Sequence, residues 1–77
     1  MSHIKKIPQD NINTILEFFS NGSLQEALDS IDLLLDKFPN EALLFNIRGA
    51  CFAGLGQINL AKENYEKAIT LNPEYSK

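Results

Sequence analysis

Few residues in this chain have the chemistry for catalysis or metal binding. His3 is the single histidine and Cys51 the single cysteine. A metal site draws three or four ligands from His, Cys and carboxylates at close spacing, and one His with no Cys pair cannot supply them. A Ser-His-acid relay fails for the same reason, because His3 is distant in sequence from any framework that could orient it. Cys51 falls within an apolar pattern at helical spacing, where a cysteine acts as a small core residue rather than a nucleophile. Glu26, Asp29, Asp32 and Asp36 recur at three- and four-residue steps, the pattern of a solvated helix face. Gly49, Gly54 and Gly56 lie inside or at the end of a helical pattern and do not form a phosphate loop. The expectation is a chain without catalytic residues, metal or cofactor.

The elements that carry these residues repeat. Gly22 aligns with Gly56, Ala27 with Ala61 and Pro39 with Pro73, and each pair is 34 residues apart. Phe18 and Phe52, Leu24 and Ile58, Asp29 and Glu63, and Leu35 and Ile69 fall in the same register. A constant offset of this size is the signature of a repeat architecture. Each copy contains two helical patterns. Ile12, Ile15, Leu16, Phe18 and Phe19 form an apolar stripe that ends at Asn21-Gly22, glycine being the usual left-handed residue past a helix. "SLQE" has capping-box form, with Ser23 as N-cap and Glu26 three residues on. Ala27, Leu28, Ile31, Leu34, Leu35 and Phe38 make the second stripe, and Pro39 stops it. In the second copy "NEALLFNIRGACFAGLG" and "INLAKENYEKAITLN" play the same parts, with Ala61, Tyr65, Ala68 and Ile69 on one face. Glu63 and Lys67 are placed to pair one turn apart.

The spacing predicts an all-α protein of four antiparallel helices, near 9–20, 23–38, 41–55 and 57–71, with no strand. They divide into an N-terminal tail 1–7, a first repeat 8–41, a second repeat 42–75, and 76–77 as the lead-in to a further repeat or cap. Gly49 is mid-helix, where Gly costs roughly 1 kcal/mol relative to Ala. A close helix crossing against Ala61 would offset that cost.

The second copy resembles the tetratricopeptide repeat, through Gly49, Phe52, Gly56, Ala61, Tyr65, Ala68 and Pro73 in that order. Phe45 stands where the family often has Trp. Arg48 departs from the usual Leu, and Ile47 beside it is placed to take over that contact. The first copy keeps Phe18, Gly22, Ala27 and Pro39, but has Ile15 for a small residue, Leu34 for an Ala and Asn11 for the Trp. The resemblance implies stacked helical hairpins whose first helices line a concave groove for a peptide or protein. By position, that groove would include Gln9, Ile12, Leu16 and Phe19 from the first copy, and Leu43, Asn46, Ala50 and Ala53 from the second. Two readings of Ile12, Leu16 and Phe19 stay open. They hold an apolar side chain of a partner, or they pack against the tail through Ile4 and Ile7. A branch of the family grips C-terminal carboxylates with Lys and Asn in the groove. Ile12 and Leu16 occupy two of those places here, so that role is not expected.

One helix side distinguishes the copies. Leu44, Arg48, Cys51 and Leu55 share a side that is mostly apolar, whereas their counterparts Asp10, Thr14, Glu17 and Asn21 are all polar. The expectation is that this side faces the preceding repeat, that the first copy is an N-terminal end, and that Met1 is near the true start. At the other end, Phe52, Tyr65 and Ile69 match residues that pack on the next repeat. The expectation is that the chain is a fragment of a longer repeat protein, that it pairs weakly with a second copy through this open face, or both. An alternative is a structural or oligomerisation segment at the N-terminus of a bacterial transferase-type enzyme.

Composition limits the partners. The net charge is −3 and the pI about 4.9, which disfavours nucleic acid or an anionic membrane, both of which need basic surface. "MSHIKKIPQD" has no apolar signal-peptide core, and no apolar run is long enough to span a bilayer. A cytoplasmic adaptor with a protein or peptide partner is the expectation.

Overall fold

The computed structural model describes residues 7–73. Four helices follow in order: α1 (Gln9–Ser20), α2 (Leu24–Lys37), α3 (Ala42–Gly54) and α4 (Ile58–Leu71). Each packs on its neighbour in sequence, and no strand occurs among the described residues. The chain is therefore two stacked helical hairpins.

The repeat is clearest at the two interhelix turns. After α1, the Gly22 N–H donates to Phe19 O at 3.1 Å and the Ser23 N–H to Phe18 O at 2.8 Å. After α3, the Gly56 N–H donates to Ala53 O at 3.0 Å and the Gln57 N–H to Phe52 O at 2.9 Å. These are the paired bonds of a Schellman stop, which require a left-handed residue. Gly22 and Gly56 supply it, with φ of +80° and +81°. α2 and α4 each end instead two residues before a proline, Pro39 and Pro73, because proline offers no N–H and constrains the residue ahead of it.

The expected boundaries of α2, α3 and α4 are each long by a residue at both ends or at the N-terminal end. Ser23, Phe38, Glu41 and Gln57 are caps with non-helical backbone. Ser23 is the N-cap of α2, and its carbonyl accepts from the Ala27 N–H at 3.0 Å. The expected capping box does not form, since the Ser23 side chain makes no cap hydrogen bond. Glu63 and Lys67 do not pair either. The Lys67 ammonium lies over the Phe45 ring, 5.9 Å from its centroid.

The core runs through both hairpins. Ile15 from α1, Ile31 from α2, and Leu44 and Cys51 from α3 have no exposed surface. Ile12, Ala27, Leu28, Leu34 and Ile47 complete the cluster, and Ile7, Phe18, Leu35 and Phe52 pack on its edge. Leu44 and Cys51 are thus buried against the first hairpin, while Asp10 and Glu17, 34 residues earlier, are exposed. Apolar residues at the later positions and charged ones at the earlier follow from what lies beside each helix. α4 joins through small residues. Ala61 and Ala68 are buried and bring its backbone close to α3.

Candidate functional site

Two side chains of α1 stand out from the surface beside α3. Leu16 is 43% exposed and Phe19 38%. With Asn46, Ile47 and Ala50 of α3 and Tyr65 of α4 they line a hollow of about 170 Å³. Its walls come from both hairpins, so it exists only when the repeats are stacked. Leu16 and Phe19, three residues apart, project from one side of α1. Asn46 and Ala50 do the same four residues apart on α3. The small Ala50 leaves the space, and Asn46 contributes the one side-chain amide.

Tyr65 reaches the hollow because Gly49 has no side chain. A Cβ built on Gly49 would lie 2.8 Å from Tyr65 Cε1, 2.9 Å from Cδ1 and 3.1 Å from the Ala61 carbonyl oxygen. The expected small-residue contact between Gly49 and Ala61 is thus real, and the Tyr65 ring shares it. Residues 42–75, which span α3 and α4, match the family model of the tetratricopeptide repeat.

The second hairpin is similar to a tetratricopeptide repeat. Comparison with curated proteins and with solved structures found no match. Tetratricopeptide repeats are protein–protein interaction modules, typically without catalysis of their own, and the four-helix architecture fits that type.

The repeat's departure at Arg48 has a structural account. Arg48 Nε donates to Asp32 Oδ1 at 3.1 Å, and Nη1 donates to Asn64 Oδ1 at 3.0 Å. Its guanidinium also lies over the Phe52 ring, 5.1 Å from the centroid. One side chain therefore ties α2 of the first hairpin to both helices of the second. Asn64 is only 6% exposed, and its Nδ2 donates to Leu60 O at 2.8 Å. Both ends of the buried amide are satisfied, as burial demands. Asp32 is exposed like the other acids of α2, and its ion pair with Arg48 sets it apart from them. Sequence reading missed this link. Arg48 at a position where the repeat usually has Leu was the available signal.

Of the residues expected to line a groove, Leu16, Phe19, Asn46 and Ala50 line the hollow. Ile12 does not belong to that surface. It is 7% exposed and part of the core, where Ile7 also packs. The cause is its position in line with Ile15, which turns it toward α2. Leu43 is half-buried against the core, and Ala53 is exposed at the far end of α3. Gln9 is exposed, and its amide nitrogen donates to Asn13 Oδ1 at 3.0 Å. Ile47 and Tyr65 join the hollow unforeseen. Of the residues expected on the open C-terminal face, Ile69 is 39% exposed, while Phe52 is half-buried against the core and Tyr65 is half-buried as a wall of the hollow.

Cys51 is sealed in the core, and burial pushes its thiol pKa up. A thiol held neutral is a poor nucleophile. His3 and Ile4 lie outside the described residues, as does the expected lead-in at 76–77. No helix among the described residues is long and apolar enough to cross a membrane.

Proposed function

We propose that this chain is a protein-binding module that receives an apolar side chain of a peptide or protein partner in the hollow between α1 and α3. The observation that carries this is the pair Leu16 and Phe19, 43% and 38% exposed around a hollow of about 170 Å³. Burying a large apolar side chain is worth about 1.5–3 kcal/mol, and these two have no partner in the core to give it. The tetratricopeptide repeat at 42–75 supports a binding role. An adaptor working in the cytoplasm fits this reading.

The test is selection from a random peptide library displayed on phage, run in parallel on the chain and on its Ala50→Arg variant. Ala50→Arg fills the hollow from an α3 position that is already partly exposed. The chain should enrich peptides with a large apolar residue, and the variant, with unchanged helical circular dichroism, should not. Equal enrichment by both forms overturns the assignment of the site.

A second reading is favoured by Ile69, which lies one turn from Tyr65 on α4 and is 39% exposed. Two copies could cover this face in a weak, two-fold pair, since the same patch would meet itself. Association costs several kcal/mol, so a patch this small supports pairing only at high concentration.

A further inference from the structure

The first hairpin is acidic. Residues 7–41 hold seven carboxylates against one base, Lys37. Among them, Asp32 is matched by Arg48. Asp10 and Glu17 of α1 are exposed, and among the described residues neither has an ion-pair partner. Both border a shallow depression lined also by Asn13, Thr14, Ser20 and Leu16. Leu16 is at the same time a wall of the apolar hollow. The two depressions thus adjoin at one side chain, and neither is lined by a Lys or Arg.

From this juxtaposition we infer that the partner segment is basic: it places a large apolar side chain in the hollow and a Lys or Arg beside Asp10 and Glu17. This deepens the groove assignment and rests on it. The occupant is a segment of another protein. An acidic segment would bring like charges to α1, which opposes binding and rejects wrong partners. The apolar contact supplies the affinity, while the charges select and steer the partner. Exposed pairs of this kind are worth about 0.2–1 kcal/mol each, so two of them, at about 1.4 kcal/mol per tenfold, change affinity about two- to thirtyfold.

The charge content of the phage-selected peptides tests the inference. They should carry Lys or Arg within about one helical turn of the large apolar residue. A synthetic selected peptide should lose about two- to thirtyfold in affinity for an Asp10→Asn/Glu17→Gln double variant. Its charge-reversed version, with Glu for each base, should bind the parent chain at least tenfold more weakly. Raising the salt should weaken the basic peptide and leave an uncharged one nearly unchanged. Selection of uncharged or acidic peptides that still need Ala50 would overturn the basic partner and keep the groove. No enrichment over Ala50→Arg would overturn both. Residues 1–6, which include Ile4, Lys5 and Lys6, are the competing occupant. If only a chain lacking them selects basic peptides, the tail fills the hollow and the proposal of a separate partner fails.

Discussion

Gly49→Ala should destabilise this protein, although Ala is the better helix former. In an open helix the exchange gains about 1 kcal/mol. At residue 49 the new Cβ would meet Tyr65 Cε1 at 2.8 Å, Cδ1 at 2.9 Å and the Ala61 carbonyl oxygen at 3.1 Å. Ordinary carbon contacts fall at about 3.5–4.0 Å, so the gap must widen by most of an ångström. Two adjacent ring atoms are both short, and spinning the ring about its own axis brings equivalent atoms back. The third contact is backbone. α4 itself must move, and overpacking of this kind costs about 1–3 kcal/mol. The net expectation is a loss of about 0–2 kcal/mol.

Gly54→Ala is the control on the same helix. Its Cβ would lie 2.7 Å from Leu24 Cδ1, but the next two Leu24 atoms are at 3.8 Å. One methyl at the end of a half-buried side chain can rotate away, so this variant should stay within about 0.5 kcal/mol of the parent. Urea titration followed by circular dichroism reads the difference. With a slope near 1 kcal/mol/M for a small domain, Gly49→Ala should unfold at up to about 2 M lower urea than Gly54→Ala. Gly49→Leu should lose more, a large share of the roughly 4–12 kcal/mol that a chain of this size commands. Tyr65→Leu in the Gly49→Ala background should cost less than it does alone, because it removes the clash. If Gly49→Ala raises the midpoint, or matches Gly54→Ala, the α3–α4 crossing is not limited by the Tyr65 contact and the account of Gly49 is wrong.

Three further outcomes are expected. Arg48→Met should cost about 1–3 kcal/mol because it strips the donor from buried Asn64 Oδ1, whereas Asp32→Asn should cost under about 1 kcal/mol at its half-exposed site; a double cycle of Arg48→Met with Asn64→Leu that proves additive would refute the link. Cys51 contributes a pH dependence only in alkali: its folded pKa is raised by burial above the ordinary value of 9.0, so the stabilisation is whole below about pH 9 and falls as pH rises and the unfolded thiol loses its proton. Cys51→Ala should flatten that alkaline slope in denaturant titrations, and an unchanged slope would refute the burial argument. Sedimentation over a wide concentration range should show weak pairing that Tyr65→Lys with Ile69→Glu abolishes at constant helix content; a parent chain monomeric throughout would end the second reading of the C-terminal face.

The sequence alone determined the helices, their stops and their repetition. Those features are local: a 3.6-residue apolar period, a glycine that can turn left-handed, and a proline that cannot extend a helix. An offset of 34 residues carried them from Gly22 to Gly56 and yielded the hairpin pair. Leu44 and Cys51 against Asp10 and Glu17 even showed which helix side meets a neighbour, because burial by another repeat leaves an apolar imprint. Tertiary structure decided the rest. Ile12 and Leu16 are both apolar and one turn apart, yet the first is core and the second is surface. The division depends on how α2 and α3 straddle α1, which no period records. The Arg48 link joins residues 16 apart on either side, through a guanidinium whose partners are fixed only once three helices are docked. Tyr65 became a wall of the hollow for a similar reason, since its ring lies where Gly49 leaves room. Side chains that answer to one helix are legible in its sequence, while those that answer to two or three are assigned only by the packing.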